Sequence, residues 1–273
     1  MMHTKGPLLT QDEKKRFRQS PVKCRRLPQK IVSLADFLAV ISDAIRTNDR
    51  FWFRGHDDVT YDLTPSALRY SDLANRARAL GLMADFKRIA ELKLRRVPES
   101  GEELKWALIA QHYGLPTRLL DWTESATTAL YFACLREERD GLVFILNPVD
   151  LNRLSYPLKP RVLDPQEDSA IILSYLRASP TRSRGGRNPV AIYPIWNSER
   201  LIIQRGVFTL HGKVFDLDGT KIASLIAIPI LKESKPRLRN ELQRIGVDEM
   251  TLFPELEHSC SHLKRREGLE NCK

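Results

Sequence analysis

Residues 111–123 read Gln-His-Tyr-Gly-Leu-Pro-Thr-Arg-Leu-Leu-Asp-Trp-Thr, and the other motifs of the chain are best understood from this stretch. Pro116 has no backbone N–H and pushes Leu115 away from helical dihedral angles, so no helix can run through its centre. We therefore predict a helix that ends at Gly114 and a loop that follows it. Polar side chains on such a loop are stronger functional candidates than a buried apolar stripe.

The composition is that of a globular protein. The chain has 273 residues, of which 42% are hydrophobic and 29% charged, enough to bury a sizeable core. No apolar run approaches the roughly 20 residues that cross a bilayer, so we predict no association with a membrane. The first 29 residues lack the apolar segment of a secretory signal, and the four cysteines are scattered. These features predict reduced thiols and a cytoplasmic location.

The charge balance is basic, with 44 Lys and Arg against 34 Asp and Glu and a net charge of +10. Much of the excess lies near the ends, at residues 14–16, 25–26 and 264–266. Such an excess attracts nucleic acid or another polyanion, or else it belongs to solvated tails that keep the protein soluble. The sequence shows no zinc finger, helix-turn-helix or aromatic RNA-binding pattern.

Apolar spacing and capping residues predict helices dispersed among strands. The predicted helices cover residues 33 to about 48, 82–96, 104–113, 123–136, 164–176 and 234–245, with a last one after Pro254. The predicted strands cover residues 51–53, 141–146, 190–195, 206–210 and 222–228. This order predicts an α+β fold, a single mixed domain with a central, largely antiparallel sheet flanked by helices. We assign a flexible basic N-terminal tail to residues 1–30, the domain to residues 31–264 and a C-terminal tail to residues 265–273.

Arg54 is the first candidate site residue. It directly follows the aromatic residues 51–53, and packing alone is a poor explanation for an Arg at that position. A guanidinium is a planar fork of donors that suits phosphate or carboxylate. Two interpretations stay open. Arg54, with Gly55, contacts an anionic ligand, or it pairs with an internal carboxylate such as that of Asp121 and only braces the fold.

The 111–123 stretch supplies the second group of candidates. Arg118 and Asp121 can pair with each other or with Arg54, and Thr117 and Thr123 offer hydroxyls. Thr123 is also placed to cap the predicted helix over residues 123–136.

His112 in the same stretch is either an acid, base or ligand contact, or a core histidine bonded to the backbone. Gln204 is the third candidate, and the nearby Gly206 lets the backbone approach another group closely. Its alternative is a solvent-facing side chain in a turn. His258, Cys260 and His262 lie close in sequence, but no carboxylate or second Cys completes a set of ligands, so we predict no metal site.

Taken together, these segments resemble the FRG domain family, named after the Phe-Arg-Gly that stands here at residues 53–55. The resemblance covers about residues 33–264 and rests mainly on the long motif at residues 110–123. His56 departs from the family pattern, in which many relatives carry Gln at this position. The shorter matching motifs are Leu-x-Pro-Ser-x-Leu-Arg at 63–69, Ala-Leu-Tyr-Phe-Ala at 129–133, Gln-Arg-Gly-x-Phe-Thr at 204–209 and Thr-Leu-Phe-Pro-x-Leu at 251–256.

The order of these parts also resembles that of ADP-ribosyltransferases. This second resemblance implies that Arg54 holds a diphosphate or ribose of NAD and that the Thr117 to Thr123 loop lines the nicotinamide side. Gln204 would take the third position, where transferases usually have Glu. A Glu there stabilises an oxocarbenium-like centre, and Gln cannot carry that negative charge.

The resulting expectation is a pocket for a nucleotide-like ligand, with NAD-dependent ADP-ribosyl transfer to a protein or nucleic-acid acceptor in a toxin or defence role. Arg54, Gln204 and Asp121 would be catalytic. Arg54 would also bind NAD, together with Gly55, His112, Thr117, Arg118 and Thr123. The alternative is a non-catalytic nucleic-acid-binding or interaction module that uses the basic tails and residues 182–187.

Overall fold

A computed structural model describes residues 6–45, 49–183, 186–217, 222–267 and 269. Within these ranges the strands form one sheet in the order β1-β7-β4-β2-β3-β6-β5, where each pair is antiparallel except β1 with β7. The strands are β1 (Arg25–Arg26), β2 (Trp52–His56), β3 (Leu119–Thr123), β4 (Gly141–Leu146), β5 (Val190–Ile192), β6 (Gly206–Leu210) and β7 (Ile226–Ile230). The predicted α+β fold with a largely antiparallel central sheet is therefore confirmed.

Helices cover both faces of the sheet, and none in the described ranges has the length and hydrophobicity needed to cross a bilayer. Within the part of the chain that the structure describes, three short 3-10 helices lie at Phe17–Gln19, Ser66–Leu68 and Lys232–Ser234. The helices are α1 (Gln11–Arg16), α2 (Leu34–Ala44), α3 (Leu73–Ala90), α4 (Glu103–His112), α5 (Ala126–Ala133), α6 (Pro148–Arg153), α7 (Ser169–Leu176), α8 (Glu199–Ile203), α9 (Lys235–Arg244), α10 (Glu249–Leu252) and α11 (Leu256–Arg266).

The two faces of the sheet are packed differently. On one face a continuous core runs across the sheet, from Phe144 through Trp52 to Trp122. On the other face the core is divided in two. Phe53 and the strands on its β4 side pack under α2, α5 and α9, whereas Phe208 and its neighbours pack under α4 and α7. The division falls between β2 and β3.

Several local predictions are confirmed. Ser33 caps α2, where its hydroxyl accepts a hydrogen bond from the Asp36 N–H at 3.2 Å. Helix α4 ends as predicted before Gly114, which adopts a positive φ of 82° that favours glycine. The buried strand predicted over residues 141–146 is β4.

Other boundaries are wrong for identifiable reasons. The helix predicted over residues 82–96 is α3, which begins earlier because the Asp72 carboxylate caps it through the Asn75 N–H, and which ends at Ala90. The helix predicted from Asp164 begins only at Ser169, because Asp164 accepts hydrogen bonds from the backbone of residues 166 and 167 in a preceding turn. The strands predicted over 190–195 and 222–228 are β5 and β7, with different ends.

The prediction of a loop through residue 123 is also wrong. Residues 119–123 form strand β3, and Ser125 rather than Thr123 caps α5, accepting from the Thr128 N–H at 3.2 Å. Long-range pairing with β6 makes this strand, and no local pattern around Pro116 indicates that pairing.

The flexible N-terminal tail is wrong for residues 6–30. Phe17 is buried in the continuous core, and β1 pairs with β7. Arg16 Nε donates to Asp140 Oδ2 at 2.6 Å, and Arg16 also pairs with Glu233. Part of the positive charge at this end is therefore neutralised within the fold, whereas residues 1–5 and most of the predicted C-terminal tail lie outside the described residues.

Candidate functional site

Strand β2 has one continuous seam and one that opens. All five of its residues pair with β4, whereas Phe53 opposite Thr123 is its single register pair with β3. Beyond that pair the side chain of Arg54 bridges the two strands, and its Nη1 donates to the Asp121 carbonyl at 2.5 Å. The backbone pairing between β2 and β3 therefore stops at Phe53, and the side chain of Arg54 occupies the gap that follows.

A cavity of about 320 Å³ lies at this opening. Strands β2, β3 and β6 form its floor, and α4, α5 and residues 197–204 form its walls. The lining residues are Phe53, Arg54, Gly55, Leu108, Gln111, His112, Asp121, Trp122, Thr123, Thr128, Phe132, Asn197, Ser198, Arg200, Leu201, Gln204 and Phe208. The structure thus brings Arg54, Gly55, His112, Asp121, Thr123 and Gln204 together.

Arg54 is the main cation of this cavity. Only 17% of its side chain is exposed, and burial lowers the pKa of its guanidinium to about 10, so the group stays charged at neutral pH. Its contact with the Asp121 carboxylate is long, at 4.0 Å between Nη1 and Oδ2. Nη2 makes no hydrogen bond to any described residue, which leaves a charged donor for an anionic group.

His56, two residues along the same strand, orients the guanidinium of Arg54. The Arg54 Nε donates to His56 Nε2 at 3.0 Å, so the ring proton of a neutral His56 belongs on Nδ1. Burial, reinforced by the positive charge of Arg54, holds the pKa of His56 well below its ordinary value. His56 is therefore a neutral acceptor that fixes the guanidinium.

Asp121 is held by residues of its own motif. Its Oδ1 accepts from Gln111 Nε2 at 2.6 Å, and the Gln111 Oε1 accepts in turn from the Thr117 hydroxyl. Thr117 Oγ1 also accepts from the Leu119 N–H at 3.1 Å, at the start of β3. The carboxylate is nevertheless 64% exposed, so it is oriented but open to a ligand.

Gln204 is fixed on the opposite wall. Its Nε2 donates to the Leu252 carbonyl at 3.0 Å, and its backbone carbonyl accepts from Thr123 Oγ1 at 2.6 Å. Its Oε1 has no hydrogen bond to any described residue. Arg205 directly after it has a positive φ of 49°, which turns the chain from α8 into β6.

Two predicted site residues do not line the cavity. Arg118 is buried, donates to the carbonyl of Gly212 at 3.0 Å and also to that of Ala178, and burial lowers its pKa to about 10. Its role in this structure is to hold loops together. Thr117 is buried as well and acts on the cavity through Gln111.

Gly55 lines the cavity for a structural reason. A Cβ at this position would lie 2.0 Å from the Ala129 carbonyl oxygen and 2.6 Å from the Ala133 nitrogen. Helix α5 can therefore rest on β2 only if residue 55 is glycine.

Other residues that line the cavity, among them Gln111 and Arg200, are not among the candidates predicted from the sequence. Gln111 lies inside the motif that was singled out, and its amide is the link that a fixed carboxylate needs. Arg200 adds a second cation, whose guanidinium lies 4.5 Å from the centre of the Phe253 ring and 3.9 Å from the Glu255 carboxylate. Neither of the two Arg200 contacts has a local sequence signal, since Phe253 and Glu255 lie far from Arg200 in the chain.

Two weaker sequence features are partly described. His258 Nδ1 lies 3.0 Å from Glu249 Oε1, and the side chain of His262 lies outside the described residues. In the basic loop Arg182 pairs with Asp216, whereas Arg184 and Gly185 lie outside the described residues. Nucleic-acid binding by this loop stays a prediction.

Among known protein families, one matches a stretch of this chain that includes the motif at residues 110–123. The FRG domain family matches residues 49–141, which run from the approach to β2 through the start of β4. Neither the curated proteins nor the solved structures give a significant match. The resemblance to ADP-ribosyltransferases stays a prediction, and Gln204 lies outside the matched range. Both Arg54 and Asp121 lie within the stretch that matches the FRG domain family.

Proposed function

We propose that this pocket binds a nucleotide-like ligand and that the protein transfers ADP-ribose from NAD to an acceptor. The observation that carries the proposal is the convergence of Arg54, Asp121 and Gln204 on one open cavity. A buried cation and an exposed carboxylate face the same space, with 4.0 Å between their nearest atoms. A ligand that fits such a site carries both signs of charge.

NAD has this charge pattern, with an anionic diphosphate and a cationic nicotinamide ring. The Nη2 of Arg54 is available to a phosphate oxygen, and charge-assisted hydrogen bonds of this type are strong. The open side of the Asp121 carboxylate suits the cationic end. The apolar side chains of Phe53, Phe132 and Phe208 offer surfaces for a flat ring.

In the proposed reaction the bond between the nicotinamide nitrogen and the ribose carbon breaks, and its electron pair leaves with nicotinamide. Positive charge then develops on the ribose ring, where Asp121 stabilises it electrostatically. The acceptor's nucleophilic atom forms the new bond to the same carbon and passes its proton to the Asp121 carboxylate. Gln204 is neutral and orients a hydroxyl through its Oε1, so the negative charge comes from Asp121.

The size of the cavity limits what it encloses. About 320 Å³ is near the lower end of the roughly 300–1,000 Å³ of ligand sites. The cavity suits one half of a dinucleotide, and the open side leaves room for an acceptor. The net charge of +10 favours an acidic acceptor, either a nucleic acid or a protein.

We also propose a toxin or defence role in the cytoplasm. The cysteines at residues 24, 134 and 260 are free thiols, which suits a reducing compartment. Transfer of a bulky charged group to an acceptor is a chemistry by which such a protein would inactivate its target.

The test is to incubate purified protein with NAD and candidate acceptors and to measure nicotinamide release and labelled product. Wild type is expected to release nicotinamide, and Arg54→Ala is expected to lose the activity. Arg153→Ala is the matched control, because Arg153 is exposed and pairs with Asp150 on its own helix. Thermal unfolding of each variant separates loss of the site from loss of the fold. A calorimetric titration with NAD completes the test: if neither wild type nor Arg54→Ala binds NAD, the proposal is overturned.

A further inference from the structure

We propose that Trp196, at the rim of the cavity, is a stacking platform for the base at the far end of a dinucleotide. This inference rests on the proposed function and adds the ligand class that the site prefers. The other three tryptophans of the chain, at positions 52, 106 and 122, are buried. Trp196 is 62% exposed.

The position of Trp196 places it beside the mouth of the cavity. The next two residues, Asn197 and Ser198, both line the cavity. Ser198 is held in place as the N-cap of α8, where its hydroxyl accepts from the Leu201 N–H at 3.3 Å. Adjacent Cα atoms are about 3.8 Å apart, so the backbone of Trp196 lies within a few ångströms of a lining residue.

The ring of Trp196 has no ring-to-ring or cation–π contact with any other described residue. The other exposed aromatic residue near the mouth, Tyr113, already packs against Phe86 and against the ring of His112, at 5.0 Å between centroids in the latter pair. An exposed indole without a ring partner is the better platform, because stacking on it displaces no existing ring contact.

The cavity volume explains why a platform outside it matters. A site of about 320 Å³ encloses one half of a dinucleotide and leaves the second base outside. Stacking of a base on an aromatic side chain tightens binding by about 5- to 150-fold. We therefore expect the protein to prefer a dinucleotide to a mononucleotide that fills the same cavity.

The experiment is calorimetric titration of the full chain with NAD and, separately, with nicotinamide mononucleotide. Trp196→Ala is expected to weaken NAD binding at least 5-fold and to leave mononucleotide binding within about 2-fold, whereas Trp196→Phe retains most of the NAD affinity. Leu158→Ala is the matched control, since Leu158 is 96% exposed and does not line the cavity. Quenching of tryptophan emission by acrylamide gives a second readout, because NAD should shield the exposed indole.

The outcomes separate the two proposals. If wild type binds NAD and Trp196→Ala binds it equally tightly, the platform is overturned and the pocket stands. Equal loss of both ligands in Trp196→Ala also overturns the platform, because it indicates damage to the cavity itself. If wild type binds neither ligand, the proposed function fails, and the platform fails with it.

Discussion

The two sides of strand β2 form a natural comparison. Toward β4 every residue of the strand is paired, and α5 lies so close above it that Gly55 has no room for a side chain. Toward β3 the pairing is limited to Phe53 and Thr123, and polar side chains take the place of the ladder. One seam is closed by backbone hydrogen bonds, and the other holds a cavity.

The difference shows how one strand can serve stability and binding at the same time. The closed seam fixes the position and direction of Arg54, since its neighbours on both sides are locked in the β4 ladder. The open seam then exposes that rigidly held side chain to a ligand. Function placed on a rigid element is oriented more precisely than function placed on a free loop.

The largest expected effect comes from breaking the closed seam with Gly55→Ala. The added Cβ would overlap the backbone of α5 at 2.0 Å, so the helix must move. We expect the free energy of unfolding to fall by about 3 kcal/mol or more, measured by urea denaturation. Gly81→Ala is the control, because a Cβ there meets no other group within 4 Å apart from its own helix backbone and chain neighbours, and it should stabilise α3 slightly. A Gly55→Ala protein of wild-type stability would contradict the close packing.

The next effect sharpens the account of the open seam. Asp121→Asn keeps an oxygen for Gln111 but removes the negative charge, so we expect nicotinamide release to fall about 100-fold. Because Asp121 is mostly exposed, the free energy of unfolding should change by less than about 0.5 kcal/mol. A sharp fall in stability with unchanged turnover would instead favour the interpretation that Asp121 only braces the fold.

A third prediction concerns His211, the residue that directly follows strand β6. His211 is buried between the Thr209 hydroxyl and the Phe215 carbonyl, and burial lowers its pKa to about 3. In the unfolded chain the His211 imidazole binds a proton as the pH falls through about 6.5, whereas in the folded chain it stays neutral. The free energy of unfolding therefore decreases as the pH falls below that value. From pH 7 to 5 we expect a loss of about 2 kcal/mol from His211.

The measurement is urea denaturation at both pH values for wild type and His211→Asn. Asn cannot take up that proton, so the variant should be less stable at pH 7 but should lose less on acidification. Equal losses in the two proteins would show that His211 does not titrate in this way.

The smallest effect tests the turn that aims Gln204 at the open seam. Arg205 has a positive φ of 49°, which β-branched residues tolerate poorly and Asn tolerates well. Arg205→Val should lower the free energy of unfolding by about 1 kcal/mol, whereas Arg205→Asn should be near neutral. Thermal unfolding of the pair checks this, and identical behaviour of Val and Asn would argue against a constrained turn.

The sequence predicts best those features whose causes are local. The Ser33 cap, the Gly114 stop and the apolar run of β4 each have their cause within a few residues, and each is confirmed. Strand β3 was missed because its cause is pairing with β6 across nearly 90 residues. The prediction of an N-terminal tail is wrong because polar residues such as Arg16 find their partners, here Asp140, far along the chain.

The candidate site shows the same limit. The two motifs that carry Arg54 and Asp121 are identifiable from the sequence, and the FRG match includes both. The sequence did not show which polar residues of the 111–123 stretch face the cavity. Arg118 and Asp121 are three residues apart in the chain, yet one is buried among carbonyls and the other is open to solvent. The alternation of side chains along an unpredicted strand decides such placements.

The most direct test of the central claim is the NAD dissociation constant of Arg54→Lys, measured by calorimetry beside wild type and the surface control Arg153→Lys. Lysine keeps the charge but lacks the second guanidinium nitrogen, whose charge-assisted hydrogen bond contributes about 1.5–3 kcal/mol. We predict binding at least about 10-fold weaker for Arg54→Lys and unchanged for Arg153→Lys. Equal affinity of Arg54→Lys and wild type for NAD, or no binding by any of the three proteins, would contradict a nucleotide site at the open seam.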